Sequence, residues 1–216
     1  MDSLIYDLPA LTIRSISVSE MDNNVYLLTA KSSGEQVLID AADDLPAIRQ
    51  LLADAARDTA AEPKLALIAT THQHWDHVRA LPDLVAATGA PTVAGADDAD
   101  ALPVPVDRHL EHGDRVAVTG FELEAVHLRG HTPGSTAFVY RGPDGPPHIF
   151  SGDSLFPGGV GNTQKDPERF NSLLDDVTDR LFGTYPDAAV VHPGHGKPTT
   201  LGAERPHLEE WRARGW

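Results

Sequence analysis

The segment Leu65-Ala66-Leu67-Ile68-Ala69-Thr70-Thr71-His72-Gln73-His74-Trp75-Asp76-His77 decides how this chain is read. Its first half is a short continuous apolar run of the kind a buried strand uses. Its second half gathers four potential metal ligands, His72, His74, Asp76 and His77, within six positions. Side chains alternate along extended backbone, so His72 and His74 fall on one side and can grip one ion together. Asp76 and His77 lie at the turn into a helix marked by Val78, Leu81, Leu84 and Val85, where they can be aimed at a neighbouring ion.

Outward from this segment, three further turns carry the same residue types, each just after an apolar run. They are Gly130-His131-Thr132-Pro133-Gly134-Ser135, Ser151-Gly152-Asp153-Ser154 and Val191-His192-Pro193-Gly194-His195-Gly196. Loops set on a rigid scaffold are where sites are built, and these can converge at one edge of the sheets.

The remaining pattern supplies that scaffold. Leu11, Ile13, Ile16 and Val18, then Val25–Leu28 and Val37–Ile39, read as strands, and Leu45, Ile48, Leu51, Leu52 and Ala55 as one face of a helix. Strands return at Arg115–Val118, Phe121–Leu128, Thr136–Tyr140, His148–Phe150 and Ala188–Val191, with a turn at Gly142-Pro143-Asp144-Gly145. Asp166 as N-cap and Pro167 at the first helical position open a helix with Phe170, Leu173, Leu174, Val177 and Leu181 on one face, and a last helix runs from about Gly202 to Arg214.

The chain has 216 residues, 17 Lys+Arg against 32 Asp+Glu, a formal charge of −15 and no cysteine. Without thiols there is no disulfide, Cys-ligated zinc, iron–sulfur cluster or thiol nucleophile, so the chemistry must use oxygen and nitrogen donors. The acidity and the lack of a basic cluster argue against nucleic acid as a partner. Neither a secretory signal nor a bilayer-spanning run is read, so no membrane association and a cytoplasmic location are expected.

In sequence order, His-x-His-x-Asp-His at 72–77, Gly-His-Thr-Pro-Gly at 130–134, Gly-Asp at 152–153 and Pro-Gly-His-Gly at 193–196 resemble the marks of the metallo-β-lactamase superfamily, nearest its glyoxalase II-like hydrolases. Asp22–Leu27 and Leu38–Asp40 resemble the opening strands of that family. The resemblance implies an α+β fold, a four-layer αββα sandwich spanning residues 1–216 as a single domain, with two metals at one edge. Carried over by motif, His72, His74 and His131 hold the first ion, Asp76, His77 and His195 the second, and Asp153 bridges them. The ions are expected to be divalent, zinc first, with iron or manganese accepted by the same donors.

Such a pair implies hydrolysis by a metal-bridging hydroxide that attacks a carbonyl, with Asp76 accepting and returning the proton and Asp153 as the second catalytic carboxylate. A small-molecule thioester is the leading substrate class. Trp75, Phe156 and Asn162 are the residues read as lining its pocket. Lactone hydrolysis is the alternative on the same fold. A single iron on His72, His131 and Asp153 would instead suit a persulfide dioxygenase. The chain ends soon after His195, so the C-terminal helical domain of glyoxalase II is not expected and glutathione as the thiol is left open. The absent cysteine and the bridging Asp153 both argue against β-lactam hydrolysis. Among the other histidines, His109, His112, His148 and His207 read as surface residues and His127 as buried and hydrogen-bonded, while a place behind the ligands is the lesser reading of His192.

Overall fold

Asn23–Ala30 is buried along its whole length, which only a strand covered on both faces achieves. Its side chains divide by parity. Tyr26 and Leu28 join a core with Phe138 and Phe150, whereas Val25 and Leu27 pack with Ile48, Leu51 and Leu84. Thr136–Tyr140 repeats the device in the other half of the chain. Phe138 and Tyr140 face the shared core, and Ala137 and Val139 face Phe170, Leu173 and Trp211. Three cores therefore separate four layers in the order helix, sheet, sheet, helix. Phe138 is fully buried between the sheets, and truncating such a ring typically costs about 3–5 kcal/mol.

The computed structural model describes residues 3–143 and 145–215. The first sheet runs β1 (Leu4–Asp7), β2 (Leu11–Val18), β3 (Asn23–Ala30), β4 (Glu35–Ile39), β5 (Lys64–Thr70), β6 (Thr92–Gly95) and β7 (Arg108–Leu110) in spatial as in chain order. Pairing is antiparallel up to β4 and parallel beyond it. Helices α1 (Leu45–Ala55), α2 (Leu81–Thr88) and α3 (Ala96–Ala99) make the crossovers that parallel strands require.

In the second half come β8 (Arg115–Val118), β9 (Phe121–His127), β10 (Thr136–Tyr140), β11 (His148–Gly152), a ribbon of β12 (Leu155–Phe156) with β13 (Gly159–Val160), α4 (Pro167–Asp176), β14 (Val190–Pro193) and β15 (Thr199–Thr200). The second sheet is ordered β15-β14-β11-β10-β9-β8, with β11 and β14 parallel. Helices α5 (Leu201–Glu204) and α6 (Leu208–Arg214) end the chain.

This is the expected α+β sandwich. Several boundaries differ from the sequence reading, each for a local reason. The helix expected from Val78 begins at Leu81, because Trp75–His77 closes first into a 3₁₀ turn. The C-terminal helix is divided by a 3₁₀ turn that contains Pro206, and proline cannot donate within a helix. Asp166 does cap α4, accepting from Glu168 N and Arg169 N, but the helix continues past Asp176 as a π-helical turn over Val177–Phe182. The strands β6 and β7 were not anticipated. The turn read at Gly142–Gly145 includes Asp144, which lies outside the described residues.

His148 corrects the expectation of a surface residue. It starts β11, which is flanked by β10 and β14, and it is 1% exposed. Among the described residues no helix is long and apolar enough to cross a membrane.

Candidate metal centre

Four strand ends deliver the candidate ligands to one edge of the sandwich. β5 runs out into His72 and His74, the loop between β9 and β10 carries His131, β11 ends at Gly152 before Asp153, and β14 ends at Pro193 before His195. The 3₁₀ turn Trp75–His77 buries Asp76 and His77 behind this rim. The loop bearing His195 is fastened across the edge. Asn24 N donates to Gly194 O at 2.8 Å, and Asn24 Nδ2 donates to the carbonyls of Pro193 and Gly196 at 3.0 and 2.9 Å.

The donors fall into two groups. Donor atoms of His72, His74 and His131 lie within 4.8 Å of one another, and so do those of Asp76, His77 and His195. In the second group His77 Nε2 is 3.1 Å from His195 Nε2, and Asp76 Oδ2 is 3.4 Å from His195 Nε2. Asp153 stands between the groups. Its Oδ2 is 3.6 Å from His131 Nε2 and 3.4 Å from His195 Nε2, and its Oδ1 is 3.4 Å from His77 Nε2.

Hydrogen bonds on the far side of the rings fix which nitrogen faces inward. His131 Nδ1 donates to Asn162 O at 2.8 Å, His195 Nδ1 to Met21 O at 2.7 Å, and His77 Nδ1 to Asp40 Oδ2 at 2.9 Å. Thr71 Oγ1 donates to Asp40 Oδ2 at 2.7 Å, which leaves it to accept from His72 Nδ1 at 3.0 Å. In each of these rings Nδ1 is thereby occupied and Nε2 is the nitrogen that faces the site, where an ion would take the place of its proton in His77 and His195.

Glycine is required where the loops press on these groups. A Cβ on Gly194 would stand 2.3 Å from Asp153 Oδ1, and one on Gly161 would stand 1.7 Å from Asp153 O.

The polar groups test whether a cation fits. His72 Nε2, His131 Nε2 and Asp153 Oδ1 are buried with no hydrogen-bond partner among the described residues. Each such orphan costs about 1–3 kcal/mol, which a bound cation would recover. Burial holds His72 well below the usual histidine range and lowers His74 and His131, so these three are neutral donors. In the second group, burial acts to lower His77, yet Asp153 and Asp40 outweigh it and raise the ring to about 10. His195 is likewise raised, with Asp153 overcoming burial. Burial also works against the Asp153 carboxylate, but His195 and His77 hold its pKa well below the usual range. Neutral imidazoles beside carboxylates that draw in positive charge make a donor set suited to divalent ions.

The three residues read as pocket-lining fare differently. Trp75 is 60% exposed, with the Arg79 guanidinium 3.9 Å from its ring centroid. Phe156 lies 6.5 Å from the His195 ring, centroid to centroid. Asn162 contributes its main chain, orienting His131, while its side-chain Oδ1 accepts from Gln164 N at 2.8 Å.

Sequence reasoning assigned no role to Asp40, Asn23 or Asp98. Asp40 orients His77, and Asn23 Nδ2 donates to Asp76 Oδ2 at 2.9 Å. Asp98, fully buried, accepts from Gln73 N at 2.9 Å, Thr132 Oγ1 at 2.6 Å and Gly134 N at 2.7 Å, so it ties together the two loops of the three-histidine group. His192 lies on β14 ahead of the His195 loop, and its ring meets His148, with His148 Nδ1 3.0 Å from His192 Nε2.

A helix–sheet–sheet–helix sandwich with seven His and Asp donors gathered at one edge defines a metal-binding protein of the αββα class. The chain belongs to the metallo-beta-lactamase superfamily, whose family model matches residues 18–195. It is 39% identical over 140 residues to a hydroxyacylglutathione hydrolase of Fuscovulum blasticum, covering 65% of this chain and 51% of that one. It is 31% identical over 194 residues to a hydroxyacylglutathione hydrolase-like protein of Mus musculus, covering 86% and 61%. The chain thus spans between half and two thirds of the length of these relatives. Among solved structures, TTHA1623 in a di-iron-bound form superposes with a TM-score of 0.69 at 33% identity, covering 88% of this chain and 96% of that one. ETHE1 from Myxococcus xanthus gives 0.75 at 28%, covering 93% and 84%.

Proposed function

We propose that the chain is a dinuclear metal-dependent hydrolase acting on thioesters, with His72, His74 and His131 holding one ion, Asp76, His77 and His195 the other, and Asp153 shared between them. The observation that carries this reading is the position of Asp153, whose two oxygens approach donors of both groups. Divalent ions held there supply Lewis acidity, which makes a nucleophile of water at neutral pH and polarises a carbonyl.

The chain's own groups do the rest. Asp153 offsets the repulsion between two cations. The Nδ1 hydrogen bonds of His72, His77, His131 and His195 keep Nε2 aimed inward and cut the reorganisation needed on binding. Asp76, one of whose oxygens is held by Asn23, would accept and return a proton through the other. The hydroxyacylglutathione hydrolase relatives favour a thioester over a lactone, and the shorter span of this chain leaves the thiol portion uncommitted.

A single iron on His72, His131 and Asp153 would leave Asp76, His77 and His195 gathered to no purpose, and the di-iron-bound relative also favours two ions. Metal quantification followed by thioester, lactone and oxygen-consumption assays on one preparation tests the proposal. Two equivalents of metal with thioester cleavage are expected. Asp153→Asn and His131→Ala should each lower turnover by at least about a thousandfold with far-UV circular dichroism unchanged. One iron with oxygen uptake, or turnover that survives these substitutions, would overturn it.

A further inference from the structure

A second cavity, of about 240 Å³, lies between the two sheets, walled by Tyr6 of β1, Ser15 of β2, Asn24 and Tyr26 of β3, His192 of β14 and Gly196 past its end. None of the seven candidate metal donors lines it. About 150 Å³ is enough to take benzene, so the space holds one substituted ring.

The wall offers an unused polar atom deep in the fold. His192 is 1% exposed, and its Nε2 is 3.0 Å from Nδ1 of His148, a residue that does not reach the cavity. Nδ1 is therefore the ring nitrogen left for an occupant, and among the described residues it has no hydrogen-bond partner. Whichever ring holds the proton between the two histidines, a hydroxyl can match this Nδ1, because it both donates and accepts. The Tyr6 and Tyr26 rings stand at 81° and 61° to the His192 ring, with centroids 5.6 and 5.5 Å from it. A flat guest among them meets ring faces and edges, the arrangements aromatic groups favour.

Charge selects the guest further. Among the described residues no Asp, Glu, Lys or Arg lines the cavity. Burial takes His192 down to about 3 and lifts Tyr26 above the usual tyrosine range, so both are neutral. An ion would shed water there without meeting a counter-charge.

The same wall holds the loop of His195. Tyr26 Oη and Asn24 Nδ2 donate to Pro193 O at 2.7 and 3.0 Å, and Asn24 Nδ2 also donates to Gly196 O at 2.9 Å. Asn24 N donates to Gly194 O at 2.8 Å. A guest packed on these two side chains braces the loop that they fasten.

We propose that this cavity binds a small neutral aromatic carrying one hydroxyl, and that the occupant tightens the metal centre by bracing the His195 loop through Asn24 and Tyr26. The effect on the metal centre rests on the metal-binding reading above, whereas the site itself does not.

The probe is p-cresol, titrated calorimetrically into the full chain. It should bind at one site in metal-free protein, with toluene, which lacks the hydroxyl, at least about tenfold weaker, and the benzoate anion no stronger than toluene. No binding of p-cresol, or equal binding of toluene or benzoate, would overturn the site. Ser15→Leu fills the cavity and should weaken p-cresol about tenfold; unchanged binding would refute the placement. Should that variant not fold, intermolecular NOEs in the wild type decide, those to the Tyr26 and His192 rings supporting the site and those only to other residues refuting it. Because coupling is reciprocal, p-cresol should bind at least about fivefold more tightly to zinc-loaded than to metal-free protein. Equal affinities would overturn the coupling. If the protein takes up no zinc, the metal-binding reading fails, and the metal-free titration still decides the site.

Discussion

Acidification from about pH 7 to about pH 5 should weaken this fold by way of His148 and His192. They face each other from neighbouring strands, each 1% exposed, with His148 Nδ1 3.0 Å from His192 Nε2 and the rings stacked at 5.3 Å. A hydrogen bond between two ring nitrogens needs one donor and one acceptor, so the accepting ring is neutral, and burial keeps its partner neutral as well. Burial pushes His148 down to about 4. Burial, helped by its neighbour His148, takes His192 to about 3. The rings of Tyr6, Tyr26 and Phe150 pack around the pair.

In the unfolded chain each imidazole takes up a proton near pH 6.5, and in the folded one neither does until about pH 4. The unfolded state therefore binds more protons across this window, and stability falls as pH falls. At about 1.4 kcal/mol per pH unit per group, the pair loses roughly 4 kcal/mol between pH 7 and 5, a large part of a typical 5–15 kcal/mol. With an unfolding entropy of about 0.45 kcal/mol/K for a chain of this length, Tm should drop by about 9 °C. Ligand histidines lowered by burial act in the same direction, so the decisive comparison is with His192→Asn, in which they cancel. Calorimetric scans should show the variant losing about 4 °C less than the wild type over the same range. Parallel curves would refute the argument.

Gly194→Ala should drive a methyl group into Asp153 and His77, because the new Cβ would stand 2.3 Å from Asp153 Oδ1 and 2.7 Å from His77 Cε1. Elemental analysis should find the metal content at least halved, with circular dichroism retained. Asp98→Ala leaves the donors of Gln73, Thr132 and Gly134 unsatisfied; a loss of roughly 3 kcal/mol in denaturant unfolding is expected, together with weaker metal retention on dialysis. Chelation should lower Tm and re-addition of metal restore it, since ligand at a thousand times Kd contributes about 4 kcal/mol; a Tm indifferent to chelator would contradict a metal bound at His72, His74 and His131.

What could be read from the sequence divides along a physical line. The histidine loops were legible because each follows an apolar strand, and a strand end is where a rigid scaffold can hold a polar side chain. Val25–Leu28 was legible as a strand, and its unbroken apolar run matches the burial of β3 on both faces. By contrast, β6 and β7 are four and three residues long, too short to show a period, and they exist because parallel pairing of β6 to β5 and of β7 to β6 extends the sheet.

The residues that aim the ligands were hidden for a further reason. Asp40 lies 37 positions from His77, Asn23 lies 53 from Asp76, and Asp98 lies 36 from Gly134, so no local spacing relates them. Their shared mark is energetic. Asp40 and Asp98 are carboxylates buried with hydrogen-bond donors around them and, among the described residues, no Lys or Arg partner. Burying a charge in this way is costly unless it is well bonded. The chain carries that cost beside the two loops whose donor atoms must converge, where a displacement of about 1 Å would be felt in the chemistry.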